Sequence, residues 1–325
     1  MNPLRLTITA LTLAGCVALS SLVCAEEWPA KPLRIVSPYA AGGVGDTLIR
    51  VIAPNLEARL GQRLILDNKP GAAGKIGVAE VVNARPDGYT YVIAPTANFA
   101  VNQHLFDNLG FDPLTQLDPV TTIAEAPLIA VVPTSGPASL REFAELARAN
   151  PGKFNFGSPG SGSPAHLAGV YFSQLTGHSL QHVAYRGGPP LVLAMLAGEI
   201  QIAFPTLTTV STQITAGKFK AIAVMSRARN SEFPGVPAAP EAGFPDLIFG
   251  NWWVLATTHG TDHRLISRLN ADIISVLSDP VIRTRLAELG QTTLALGPDE
   301  SGAFIKSESA RYKTLIERNN IKLEQ

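Results

Sequence analysis

The chain has 325 residues, enough for two domains of ordinary size that each bury their own core, with 46% hydrophobic and 16% charged residues and a formal net charge of zero. That balance, with no run of lysine and arginine, excludes a nucleic-acid binder, whose footprint is a basic excess or stripe.

Apart from Arg5, the N-terminus runs apolar from Leu6 to Val23 before reaching Glu26, Glu27 and Trp28. This is the pattern of an export signal over residues 1–25, with the small residue Ala25 at the cut, and not of a retained membrane anchor. Both cysteines, Cys16 and Cys24, fall inside it, so cleavage leaves a chain without thiols and with one more acid than base. Leu13-Ala14-Gly15-Cys16 also matches a lipobox, a competing cut that would make Cys16 an acylated first residue. Either cut places the protein outside the cytoplasm, in the periplasm. Nothing later is apolar for long enough to span a bilayer.

Short β-branched or apolar runs then alternate with helical periods. Residues 33–37 read as a strand and 46–60 as a helix that turns Leu48, Ile49, Ile52, Leu56 and Leu60 inward and stops at Gly61. Pro54 is expected to bend or divide that helix. A strand over 64–66, a helix over 76–84 and a strand over 89–94 follow. A second series opens with a strand over 128–132 and a helix over 139–149, with Ser139 as cap and Glu142 at the capping-box position. Strands over 154–156, 181–185, 200–204 and 219–225 then alternate with helices over 165–175, 191–196 and one ending near Gly217. Residues 231–245, rich in proline and glycine, read as a connector. A strand over 251–256 and helices over 262–277, 280–289 and 298–318 complete the chain. The pattern predicts an α/β fold with a largely parallel sheet. It divides into one lobe of residues 26–127 plus 250–325 and an inserted lobe of 128–249, and two chain crossings between lobes make a hinge.

Two glycine-rich stretches, residues 38–50 and 157–167, sit where a predicted strand ends and a predicted helix begins. Such a junction exposes backbone N–H groups and the positive end of a helix dipole, so it can hold a carboxylate without a charged side chain. Two of them suggest two lobes closing on an anion. Gly42, Gly43, Gly45 and Asp46 do not make a dinucleotide loop, because Leu48 stands where the third glycine belongs. Lys69, where a P-loop needs its first glycine, excludes Walker A ahead of Gly74-Lys75. Asp46 is expected to cap the first helix, or to orient loop amides or an ordered water at a ligand.

The nucleophile-elbow pattern is absent around Ser158, Ser161 and Ser163. An exported serine hydrolase using Ser161 or Ser163 with His166 is the competing class, but no carboxylate has an identifiable place behind that imidazole. His178 and His182, like His259 and His263, are four apart but fall in turn or strand segments, so no metal site is expected. Tyr185-Arg186-Gly187-Gly188 makes a third strand-to-helix junction, where Arg186 is either a bidentate carboxylate ligand or a surface ion-pair partner. Trp252 and Trp253 either wall a ligand or fill core, and strand alternation makes core the default for at least one.

Taken in order, WPAKPLRIVSPYAAGGVGDTLIR, LILDNKPGAAGKIGVAEVVNARPDGYT, ANPGKFNFGSPGSGSPAHLAGVYF, HVAYRGGPP, AGKFKAIAVMS and FPGVPAAPEAGFP resemble the extracytoplasmic receptors of tripartite tricarboxylate transporters, the Bug or TctC family. The resemblance covers essentially all of the chain after the signal. It implies a type II periplasmic-binding-protein fold whose two lobes close on a small organic carboxylate, a di- or tricarboxylate or an aromatic acid, without catalysis or cofactor. It further implies membrane permease subunits as partners of a monomeric receptor. In such receptors the two glycine loops share one ligand carboxylate. Here they correspond to Tyr39, Ala41, Gly42, Gly43 and Asp46, and to Ser158, Gly160, Ser161, Gly162, Ser163 and His166, with Thr96, Asn98, Tyr185 and Arg186 lining the same mouth. Where these receptors usually carry an aspartate after the strand over 200–204, this chain has Pro205 and Thr206. With no negative partner for an ammonium group at that turn, the expected ligand is a carboxylate without an amine.

Overall fold

The computed structural model describes residues 28–177, 179–185, 187–230 and 232–321. The expected export signal with its two cysteines, and also His178 and Arg186, lie outside the described residues.

Six strands form one sheet: β1 (Leu33–Ser37), β2 (Leu64–Asn68), β3 (Thr90–Pro95), β4 (Leu117–Pro127), β10 (Gly250–Thr258) and β11 (Thr292–Thr293), in the order β11-β4-β10-β3-β1-β2. Five form the other: β5 (Ile129–Pro133), β6 (Asn155–Ser158), β7 (Gln181–Ala184), β8 (Ile202–Ala203) and β9 (Phe219–Val224), in the order β7-β6-β8-β5-β9. The helices are α1 (Val44–Leu60), α2 (Lys75–Val82), α3 (Asn102–Leu105), α4 (Leu140–Ala149), α5 (Pro164–Thr176), α6 (Gly188–Leu196), α7 (Leu207–Thr215), α8 (His263–Leu277), α9 (Pro280–Glu288) and α10 (Pro298–Arg318). The result is two α/β lobes, one on each sheet, joined where β4 runs into β5 and where the chain returns into β10.

The sheets are mixed rather than largely parallel. β1 runs parallel to β2 and β3, and β6 parallel to β7 and β8, but β10 is antiparallel to β3 and β4, and β5 antiparallel to β8 and β9. The crossings explain the reversal. A strand that ends at the edge facing the other lobe hands the chain over there, so its continuation must start at the facing edge and run the opposite way. In each sheet the receiving strand, β5 or β10, therefore runs against its neighbours.

β4 has no counterpart among the predicted strands. Its register slips twice against β10, between Trp253 and Val254 and between Leu255 and Ala256, which leaves Ile123 and Val120 without a partner across the pair. Pro119, which has no N–H to give, sits at the second slip. In α1 the five expected residues are buried, each worth about 1.5–3 kcal/mol of apolar burial. Gly61 ends that helix in the left-handed region with its N–H on Glu57 O at 2.9 Å. Pro54 lies inside α1 without dividing it. Ser139 caps α4 by accepting the Glu142 N–H, while the Glu142 carboxylate takes the N–H of Ala138.

Alternation along β10 splits the core between the faces of its sheet: Trp252, Val254 and Ala256 pack with α10, and Trp253 and Leu255 with α1 and α8. Both tryptophans are buried and fill core. The Trp252 side of the core continues through both lobes by way of Phe249, whose ring meets Tyr171 at 5.8 Å and Tyr312 at 6.0 Å.

Candidate functional site

The loop after β1 is a tight turn closed by the Gly43 N–H on Ala40 O at 3.2 Å. Gly42 takes φ +82°, a conformation that costs glycine nothing. The loop feeds α1, whose N-cap is Gly43 with no side-chain cap, so Asp46 is not the cap residue. One turn into the helix, its carboxylate instead reaches back: Oδ2 accepts the Gly42 N–H at 3.3 Å and Arg50 Nε at 2.8 Å. Burial opposes the charge, yet the Arg50 guanidinium and the Gly42 amide hold the carboxyl below its ordinary pKa. Oδ1 is buried and has no hydrogen-bond partner among the described residues.

Behind the loop, Tyr39 donates its hydroxyl to Asn98 Oδ1 at 3.0 Å, and desolvation pushes the phenol pKa up to about 12. Asn98 and Asn102 both donate to Ala73 O, at 3.0 and 3.1 Å, and Asn68 donates to Tyr39 O at 3.0 Å. Ala72 and Ala73 hold φ of 47° and 53°, a left-handed pair costing on the order of 1–3 kcal/mol each, and that turn is what presents the Ala73 carbonyl to the two asparagines. This turn is not among the residues expected from the sequence to form the site. Glycines flank it, but nothing in the sequence marks the alanines themselves as left-handed. Thr96 spends its hydroxyl elsewhere, accepting Trp252 N–H at 2.9 Å and donating to Trp252 O at 3.4 Å.

The second loop leaves β6 at Ser158. Ser163 caps α5 by accepting the His166 N–H at 3.2 Å and donates its hydroxyl to Gly160 O at 2.7 Å. The Ser158 hydroxyl accepts the Gly160 N–H at 3.2 Å and lies 2.7 Å from His182 Nε2. His166 Nδ1 accepts the Gly162 N–H at 3.0 Å, and its ring stacks on that of His182. Burial and the neighbouring His182 push His166 down to about 3, so the ring is neutral and its remaining proton sits on Nε2. Of the loop's three serines, Ser161 keeps a hydroxyl with no hydrogen bond among the described residues. A hydrolase would need Ser161 or Ser163 on His166 as base; Ser161 has no hydrogen bond to a histidine among the described residues, and both Ser163 Oγ and His166 Nδ1 are engaged by loop backbone. From the sequence His182 enters only as half of a metal pair with His178. Its tie to Ser158 is a feature that spacing does not reveal.

A sequence model of the tripartite tricarboxylate transporter family receptors, TctC, matches residues 48–321. The chain belongs to that family. BugT of Bordetella pertussis is 30% identical to this TctC chain over 325 residues, 99% of this chain and 100% of that one. The structure of Rhodopseudomonas palustris Rpa4515 with adipate superposes with a TM-score of 0.81 at 27% identity, covering 92% of this chain and 100% of that one. MatC of the same organism, with malate bound, gives 0.75 at 26% identity, over 89% and 100%. The likeness to these periplasmic-binding-protein structures makes this a TctC-type two-lobe α/β fold.

The remaining predicted positions of the TctC chain fall at the other two junctions. Tyr185 donates its N–H to Ser158 O at 2.9 Å, which ties β7 to the second loop, but its hydroxyl goes to Glu199 at 3.3 Å and not to the loop. Burial and Glu199 raise that phenol's pKa. Arg186 lies outside the described residues. Thr206 precedes α7, and its hydroxyl joins those of Thr208 and Thr209 at 3.1 and 2.9 Å.

Proposed function

We propose that this TctC-family chain is a periplasmic receptor, not an enzyme, that captures a small organic carboxylate between its lobes and delivers it to the permease subunits of a tripartite tricarboxylate transporter. The reading takes residues 26–127 with 250–325 as one lobe and 128–249 as the other, and it takes residues 1–25 as the export signal, with Cys16 the alternative lipid anchor. One observation carries it: two helix-initiating glycine loops are each held open by their own side chains, which engage the Gly42, Gly160 and Gly162 amides, and the groups left unengaged among the described residues, the Ala41 and Ser161 amides and the Ser161 hydroxyl, are neutral donors. Hydrogen bonds from neutral donors to an ionised carboxylate contribute about 1.5–3 kcal/mol each. They avoid the heavier desolvation of an ion pair, so release on opening stays easy.

The relatives solved with adipate and malate support a dicarboxylate. The Pro205–Thr206 turn supports one without an amine. A thermal-shift screen of organic acids tests the reading: saturating dicarboxylate should raise Tm, and Ser161→Ala should reduce the rise. An ester hydrolysis abolished by Ser161→Ala would overturn it.

A further inference from the structure

A cavity of about 320 Å3 lies at the hinge, within the range of small-molecule sites. Both lobes wall it: Glu125, Trp252, Phe304 and Glu308 come from the six-stranded lobe, and Tyr171 and Asp246 from the other. It is separate from the glycine loops, none of whose residues lines it.

Its charges do not cancel locally. Arg311 also lines the cavity, but its guanidinium is engaged by Glu308 through Nε at 3.0 Å and a second nitrogen at 2.7 Å, and it lies over the rings of Phe249 and Tyr312 at 4.6 and 4.5 Å. Arg227 and Asp246, from the stretch between β9 and β10, are exposed at the rim. That leaves Glu125 on β4, half-buried and with no hydrogen bond among the described residues. Burial and the Glu308 carboxylate both raise its pKa. A half-buried carboxyl without an ion-pair partner of its own among the described residues is one that an incoming cation stabilises.

The remaining walls define which cation. Trp252 meets Phe304 edge-on at 5.3 Å and Tyr171 stands across the hinge, so a cation entering would face aromatic rings as well as acid. Among the described residues no group of three His, Cys, Asp or Glu could hold a metal ion, which disfavours a bare divalent ion here.

We propose that this hinge cavity is a second binding site, for a small organic cation bearing an ammonium or quaternary ammonium group. The test is calorimetric titration of the full chain with tetramethylammonium and with 1,4-diaminobutane, at constant ionic strength against a sodium chloride reference. Saturable binding is expected, weakened at least tenfold by Glu125→Gln and unchanged by Glu288→Gln on exposed α9. Affinity should also fall as the pH is lowered and Glu125 takes up its proton. An absence of saturable heat, or equal affinity in Glu125→Gln, overturns the site. If that variant does not fold, the pH series on the natural chain decides, and a pH-independent affinity overturns it equally.

Discussion

The rings of His166 and His182 lie face to face with centroids 3.9 Å apart, and each is fastened to the same glycine-serine loop, His166 through Gly162 N–H and His182 through the Ser158 hydroxyl. The stack clamps the loop, with the His166 ring neutral. Protonating His166 would place a buried charge against a second imidazole and remove the lone pair that holds Gly162.

That clamp makes stability depend on pH. Unfolded, His166 takes up a proton near its ordinary 6.5; folded, it does so only near 3. Between those values the unfolded chain binds more protons, so the contribution is complete above pH 6.5 and declines as pH falls toward 3, by ~1.4 kcal/mol per unit. In His166→Asn the side-chain oxygen can still accept the Gly162 N–H but cannot titrate. Urea unfolding at pH 7 and pH 5 should show the natural chain losing about 2 kcal/mol more than this variant. Equal losses would refute the clamp.

The first loop is braced from the core. A Cβ placed on Gly45 would lie 2.8 Å from the indole of Trp253, which is buried in β10. Gly45→Ala should therefore destabilise the chain by about 1–3 kcal/mol through overpacking. Adding Trp253→Phe, which removes the colliding ring, should recover part of that cost, and a double-mutant cycle on Tm measures the coupling. Strictly additive effects would mean that the loop and the tryptophan are independent.

Elements with one strong period were legible in the sequence. β1 and α10 fall where the strand over 33–37 and the helix over 298–318 were expected, because each has a single buried pattern bounded by turn or proline signals. β4 was not. Its two register slips break the period of two, and Asp118, Pro119 and Glu125 dilute its apolar character, although it joins the lobes. Strand direction was also hidden, since alternation reads the same forwards and backwards. Both glycine loops could be located, but which hydroxyls they leave available could not. Thr96 turns to Trp252 and Tyr185 to Glu199 through contacts 156 and 14 residues away in the chain.

Asp46 links loop geometry to charge. Its folded pKa lies below the ordinary carboxylate value, so its stabilising contribution is present above about pH 4 and is lost only as pH falls through the lower folded value. It therefore does not interfere with the pH 7 to 5 comparison for His166. Asp46→Ala removes the acceptor for Gly42 N–H and the partner of Arg50. Dicarboxylate affinity by calorimetry should fall at least tenfold while the chain stays folded by circular dichroism, and unchanged affinity would remove Asp46 from the site.

Thr206 offers a gain-of-function test of ligand class. It sits in extended backbone one residue before α7, where aspartate is a favoured cap, so Thr206→Asp should cost little stability. The new carboxylate would supply the negative partner that an ammonium group needs and would repel a second ligand carboxylate. Titrations with malate and with aspartate, which differ in bearing a hydroxyl or an ammonium on the same carbon frame, should show the ratio of affinities moving toward aspartate by at least tenfold. A Kd for malate that rises without any gain for aspartate would mean that the α7 turn meets the carboxylate end of the ligand. No movement in either would place the turn away from the ligand altogether.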